Sequence, residues 1–324
     1  MEPLVSVYCL VYNHEKYIKD CLEGFVKQET SFPYEIYVHD DASTDKSADI
    51  IREYANIYPN IIKPIFQEEN QYSKGVRILQ SFIYPQIKGK YVAICEGDDF
   101  WCDKLKLQKQ FDFLEQNPEY SLCVHNTIVH NCLTGSDELL NDCMEDKDIS
   151  FDDIVQHASA IFHTSSYMFR FEHLNYPKEM RLKSTADYSR AVFSATQGKV
   201  RYLHDVMSFY RKFTENSWTR RMYISIDSTD RLIAYSNEKI EMLKYLESCT
   251  NGEFTNSIKK MIRSEELKIL VMKNDIPQIK SKFPEYYKDL RIVRKLIMRL
   301  KFLFPRVYKM YRKIRFVIRW QARI

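Results

Sequence analysis

Two acidic clusters, Asp40-Asp41-Ala42-Ser43-Thr44-Asp45 and Glu96-Gly97-Asp98-Asp99, each follow directly on a short apolar, β-rich run. Carboxylates crowded this closely repel one another unless a cation or strong hydrogen-bond donors lie between them. A strand end is where an α/β sheet presents such groups to a ligand. This pairing of strand ends with carboxylates constrains the chain more than any bulk property.

Around the two clusters, the first 130 residues alternate strand and helix signals. Residues 4–11 are a short apolar run, read as a buried strand. Helical spacing over 14–28 puts Tyr17, Ile18, Cys21, Leu22 and Phe25 on one face. A second strand over 34–39 ends in Asp40-Asp41, after which Ser43 or Thr44 can cap a helix through Ala55, ended by Pro59. A strand over 61–66, a helix over 75–87 and a strand over 90–95 lead into the second cluster. A helix over 103–116 and a strand over 122–130 follow. The expected fold is α/β, with a mostly parallel, Rossmann-like sheet and helices on both faces.

Residues 131–153 are polar and acidic, read as a surface insertion. Beyond them a strand is expected over 165–171 and a helix over 186–196, with strands flanking Gly198 and over 206–210. From Met222 the pattern is helical and charged, which sets a boundary near 220: a nucleotide-binding domain over 1–220 and a helical region over 221–324. The last 37 residues, 288–324, carry a net charge of +12, against −8 for the remainder. Apolar and aromatic side chains are interleaved with the basic ones, as in a helix lying on an anionic membrane surface. Packing on the protein's own core and binding of nucleic acid are the weaker alternatives, since no nucleic-acid module is recognisable.

The eight cysteines include no Cys-x-x-Cys pair and several lie in apolar runs, as expected of buried, reduced thiols. Neither a signal peptide nor a run of ~18 apolar residues is present. The expected location is therefore cytoplasmic, peripheral on the inner face of the membrane.

Glu96-Gly97-Asp98-Asp99 offers hard oxygen ligands that suit Mg²⁺ or Mn²⁺ on a diphosphate. Gly97 removes a side chain that would block approach. Read from the residues alone, the same tetrapeptide fits equally well as a solvated turn before a helix. The first cluster reads either as an Asx-turn with a helix cap or as an acceptor, through Asp41, of hydrogen bonds from a base or ribose.

Three ordered segments resemble the family-2 glycosyltransferases of bacterial surface-polysaccharide type, which have the GT-A fold. They are Val5-Ser6-Val7 through Tyr12-Asn13, then Glu35 through Asp45, then Gly89 through Trp101 continuing to Lys104-Leu105 and Gln108. The resemblance covers roughly residues 4–215. It implies that Asp41 contacts the nucleotide and that Val11, Tyr12, Asn13, Asp40 and Ser43 line the same pocket. Glu96-Gly97-Asp98 falls where the family has Asp-x-Asp, which implies Glu96 and Gly97 beside the donor and Asp98 and Asp99 at the metal. Glu in place of Asp at 96 is a departure. Asp187 matches the catalytic base, with Ala186 where the family often has a second acid. Arg211 matches a position that can reach phosphate oxygens, while His204 and Trp218 stand where related enzymes close over their substrates.

The expected activity is inverting, non-processive transfer of a hexosyl or N-acetylhexosaminyl group from a nucleotide diphosphate donor, UDP-linked by preference. The acceptor is a saccharide or lipid-linked saccharide, the cofactor Mg²⁺ or Mn²⁺, and nucleic acid is not a partner. The rival reading is a non-catalytic nucleotide-sugar-binding or scaffold protein of the same fold. A nucleotidyltransferase is disfavoured, because residues 10–16 contain no Gly for a phosphate loop.

Overall fold

The computed structural model describes residues 2–174, 176–182, 186–215, 217–225, 227–292, 295–296 and 298–299. Ten strands form one sheet: β1 (Val5–Val11), β2 (Tyr34–Asp40), β3 (Ile62–Phe66), β4 (Tyr91–Ile94), β5 (Phe100–Trp101), β6 (Tyr120–Asn131), β7 (Ser136–Leu139), β8 (Lys147–Ile149), β9 (Met168–Arg170) and β10 (Lys199–Lys212). Along the sheet the order is β3-β2-β1-β4-β9-β6-β10-β5, with β7 on β6 and β8 on β10. β1 is parallel to β2 and β4, β2 to β3, and β6 to β10. The short strands β5, β7, β8 and β9 pair antiparallel.

β1 reads Val-Ser-Val-Tyr-Cys-Leu-Val and is almost wholly buried, as a central parallel strand covered on both faces must be. Its serine is satisfied: Ser6 Oγ donates to Glu35 Oε1 at 2.8 Å and accepts Gly89 N–H at 2.8 Å. Helices α1 (Ile18–Val26), α2 (Ser47–Ile57), α3 (Lys106–Gln116), α4 (Phe151–Ile161) and α5 (Asp187–Gln197) accompany the sheet. α1 buries Ile18, Cys21, Leu22 and Phe25, and Phe25 meets the Trp101 ring edge-on at 4.8 Å.

Three expectations are corrected. The helix over 75–87 is broken into a 3₁₀ turn at Tyr72–Lys74, a π-helical turn at Leu79–Ile83 and a second 3₁₀ turn at Tyr84–Gln86. Pro85 lacks the N–H an α-helix would use there. The strands expected on either side of residue 205 are one 14-residue strand, β10, whose register on β6 shifts around Leu203–Ser208. Part of the insertion 131–153 extends the sheet as β7 and β8.

The chain divides into two compact units: residues to Arg181 with Thr185–Ser217, and Leu182–Ser184 with everything from Trp218. The second contains α6 (Trp218–Tyr223), α7 (Ser228–Cys249), α8 (Thr255–Lys273), α9 (Ile276–Lys282) and α10 (Pro284–Asp289). In it Leu270, Ile276, Ile279, Phe283 and Met298 form a small core, and a buried Lys239–Glu265 pair at 2.9 Å joins α7 to α8. Residues 301–324, most of the basic tail, lie outside the described residues. No helix among those described is long and apolar enough to cross a membrane.

Candidate active site at the strand ends

β1 and β2 end side by side, with Val11 opposite Asp40, and Asp41 N–H donates to the Val11 carbonyl at 2.9 Å. Past these ends the two loops are knitted together. Asn13, in the left-handed region at φ +57°, accepts Thr44 N–H on Oδ1 at 2.8 Å, and its own N–H donates to Ser43 Oγ at 2.9 Å. His14 N–H donates to Ser47 Oγ at 2.8 Å. Ser43 N–H closes an Asx-turn on Asp40 Oδ2 at 3.0 Å. Neither Ser43 nor Thr44 caps α2, which begins at Ser47 without a side-chain cap. The Ser43 hydroxyl is occupied by Asn13, which makes it part of the loop frame.

Asp41 is buried, and both its oxygens accept backbone N–H groups, from Gln71 at 2.8 Å and Tyr72 at 3.0 Å. Asp40 Oδ1 is also buried but has no hydrogen-bond partner among the described residues. Tyr12 is 41% exposed beside these groups.

The second cluster leaves β4 on the other side of β1. Gly97 N–H donates to the Leu10 carbonyl at 3.1 Å and Asp99 N–H to the Glu96 carbonyl at 3.0 Å. A Cβ at Gly97 would stand 2.8 Å from His14 Nδ1 and 2.9 Å from Val11 Cγ2. The space Gly97 leaves is therefore filled by the protein's own side chains, and it lets the acidic turn close on the first loop.

Within the turn the three carboxylates have different surroundings. Burial, then the charges of Asp187 and Asp98, push the Glu96 carboxyl up to about 8, with Arg190 opposing. Asp99 is 2% exposed and accepts Arg211 N–H on Oδ1 at 2.8 Å. Burial and the neighbouring Asp98 hold its carboxyl well above the usual range. Through its bond from Arg211 N–H, Asp99 holds the turn to the segment around Arg211. Asp98 accepts the Thr214 hydroxyl on Oδ2 at 2.8 Å, and its Oδ1 accepts no hydrogen bond among the described residues.

Arg211 is likewise committed. Its guanidinium donates to the Asp98 carbonyl at 2.9 Å and to Asp20 Oδ2, and lies over the Phe100 ring at 4.8 Å. These contacts brace the acidic turn. His204 is paired with Asp146 at 2.7 Å.

Asp187 opens α5. Its charge and that of Asp98 both act on His163 and on Glu96, so these groups share one neighbourhood. Burial pulls the His163 imidazole down to about 4 against those two charges, which leaves it neutral. His163 stacks on Tyr210 at 3.8 Å and pairs with Ser165 Oγ at 2.9 Å. One turn after Asp187, the buried Arg190 donates to Tyr84 OH at 3.0 Å. The sequence reading missed His163, Arg190, Thr214 and Asp20. Arg190 lies one turn from Asp187 on the same helix, whereas Asp20, His163 and Thr214 meet the other groups through contacts between distant segments.

Among the described residues no three His, Cys, Asp or Glu side chains stand ready to enclose a metal ion. The arrangement still fits one. A hard divalent cation of the Mg²⁺ type is held by one or two carboxylates and completes its shell with substrate phosphate and water. Asp98 Oδ1 accepts no hydrogen bond among the described residues, and the charges of Asp98 and Asp187 both act on Glu96 beside it.

The profile of "Glycosyl transferase family 2" matches residues 6–174. An uncharacterized protein of Mycobacterium tuberculosis is 33% identical over 214 residues, 66% of this chain, and this chain spans only 60% of that relative's length. A putative teichuronic acid biosynthesis glycosyltransferase of Bacillus subtilis, TuaG, is 36% identical over 114 residues, 35% of this chain and 42% of its own. In fold, the chain is similar to residues 1–349 of TarS from S. aureus, solved in complex with UDP-GlcNAc. The TM-score is 0.54 at 21% identity, over 85% of this chain and 80% of that one.

Proposed function

This chain belongs to glycosyl transferase family 2, and from that premise we propose that it transfers a sugar from a nucleotide diphosphate donor to a hydroxyl of a saccharide acceptor with inversion. The observation that carries the reading is the open Oδ1 of Asp98, set in an acidic turn beside Asp187 at the ends of parallel strands.

Asp187 is the base. Its carboxylate takes the proton of the acceptor hydroxyl as that oxygen bonds to the anomeric carbon, while the bond from that carbon to the diphosphate oxygen breaks on the opposite face. Asp98 holds Mg²⁺ or Mn²⁺, which when bound offsets charge on the leaving diphosphate. The frame of Val11, Asn13, Asp40 and Asp41 shapes the nucleotide pocket, and the Tyr12 ring is free to cover the base. A uridine nucleotide is supported by the UDP-GlcNAc complex of the TarS fold neighbour. A surface-polysaccharide or lipid-linked acceptor is supported by TuaG's described role in teichuronic acid biosynthesis. The excess of +12 over residues 288–324 supports contact with an anionic membrane.

Thermal unfolding with a panel of nucleotide sugars, with and without Mn²⁺, identifies the donor by mass action. With that donor, Asp187→Asn should bind it normally and lose on the order of 10²–10⁴ in kcat. Asp98→Asn should lose the Mn²⁺-dependent part of the stabilisation. Parental turnover by Asp187→Asn overturns the base assignment, and an unchanged Mn²⁺ response in Asp98→Asn overturns the cation site.

A further inference from the structure

The C-terminal end of β10 is tied to the acidic turn by three hydrogen bonds between segments more than a hundred residues apart. Two of them, Arg211 N–H to Asp99 Oδ1 and Arg211 Nη1 to the Asp98 carbonyl, fix the turn's backbone and its buried neighbour. The third differs in kind. Thr214 Oγ1 donates to Asp98 Oδ2 at 2.8 Å and so engages one of that carboxylate's two oxygens directly.

Thr214 is built into place. It is 2% exposed, and Ser217 Oγ donates to its carbonyl at 2.9 Å. The residue before it, Phe213, has φ +68°, in the left-handed region that a residue with a Cβ occupies at a cost of ~1–2 kcal/mol. Such a conformation persists only where the surroundings enforce it, and it gathers at functional sites. Here it turns the chain out of β10 so that the next side chain meets Asp98.

We propose that Thr214 is a positioning residue that sets how Asp98 meets a divalent cation: by holding Oδ2 it orients the carboxylate and makes Oδ1 the stronger donor, and so favours one-oxygen coordination and with it Mg²⁺ and Mn²⁺ over Ca²⁺. The inference rests on the reading of Asp98 as the cation ligand. Mg²⁺ is small and demands near-octahedral coordination at short distances, a geometry that one oxygen from a carboxylate serves well. Ca²⁺ takes six to eight oxygens and readily uses both oxygens of a carboxylate. With Thr214 on one of its lone pairs, Oδ2 is the weaker donor to a cation and Oδ1 the stronger.

Thr214→Val removes the hydroxyl and keeps the shape, while Thr214→Ser keeps the hydroxyl. The affinities of Mn²⁺, Mg²⁺ and Ca²⁺ are measured by calorimetry on each folded variant at saturating UDP, with Asp98→Asn as reference. A lost hydrogen bond to a metal ligand costs 10–100-fold in affinity. Thr214→Val should therefore bind Mn²⁺ about tenfold more weakly, hold Ca²⁺ as well as the parent or better, and lose most of its Mn²⁺ over Ca²⁺ preference. Thr214→Ser should keep that preference. Thr214→Ala, smaller and easier to accommodate, gives the same comparison if Thr214→Val does not fold. A parental Mn²⁺ to Ca²⁺ ratio in the hydroxyl-free variant, with Mn²⁺ binding lost in Asp98→Asn, overturns the role of Thr214. Parental Mn²⁺ affinity in Asp98→Asn overturns the assignment of Asp98 instead.

Discussion

Lys106, the first residue of α3, is fully buried and its ammonium group has no hydrogen-bond partner among the described residues. The Trp101 ring, 3.9 Å away, offers a cation–π contact, yet burial still pulls the amine down to about 7. The unfolded chain, whose lysine keeps its ordinary value, binds the proton throughout the interval above that, while the folded protein does not. Stability therefore rises with pH from about 7 towards about 10, and the full penalty is felt at and below pH 7. Lys106→Met removes the amine and keeps the volume. It should raise stability by ~1–3 kcal/mol near pH 7, with the gain shrinking as pH approaches 10. Urea unfolding of parent and variant at the two ends of that window is the check. A loss of stability, or a gain independent of pH, would show that the lysine's packing outweighs its charge.

At the scale of elements, Asp41 grips the 3₁₀ turn at Tyr72–Lys74 through the N–H groups of Gln71 and Tyr72. Each such bond to a charged acceptor contributes ~1.5–3 kcal/mol. Asp41→Ala should thus release that turn, lower the melting temperature by several degrees and raise the donor KM at least tenfold. The kcat should move little, because a contact to the nucleotide is shared by ground and transition states. Unchanged donor affinity in a destabilised variant would confine Asp41 to a purely structural part. This grip also marks the limit of what could be read from the sequence. The strands β1, β2 and β4 and the buried face of α1 were legible, since covered parallel strands are apolar runs and α1 shows helical spacing. That both acidic clusters stand at strand ends was legible for the same reason, because each follows an apolar run. The contacts inside them were not: that Asp99 accepts Arg211 N–H, that Arg211 donates to the Asp98 carbonyl, and that Thr214 reaches Asp98 all follow from β10 lying beside β5. That pairing leaves no local pattern in the residues concerned.

At the scale of the whole molecule, the separation of charge sets the last prediction. Residues 288–324 carry +12 and the remainder −8. An anionic surface attracts the first and repels the second, so any membrane affinity must reside in the tail. Each basic residue near such a surface contributes ~1 kcal/mol, and the attraction fades beyond a Debye length of about 8 Å in physiological salt. Apolar residues between the charges, among them Ile292 and Leu296 at 76% and 51% exposure, add burial that salt does not screen. The intact protein should therefore sediment with vesicles in proportion to their anionic lipid, weaken as salt rises, and keep a residual affinity at high salt. Removing residues 288–324 should abolish sedimentation while sparing transfer to a soluble acceptor. Residue 298 is a test within this test, because Met298 is packed in the core of the second unit. A cut after residue 300 leaves that core whole and still removes eight of the 13 basic side chains of the tail. If this shorter truncation binds vesicles as well as the full chain, the charge of the tail is not what holds the protein to a membrane. If it loses its fold, the final segment belongs to the core of the second unit.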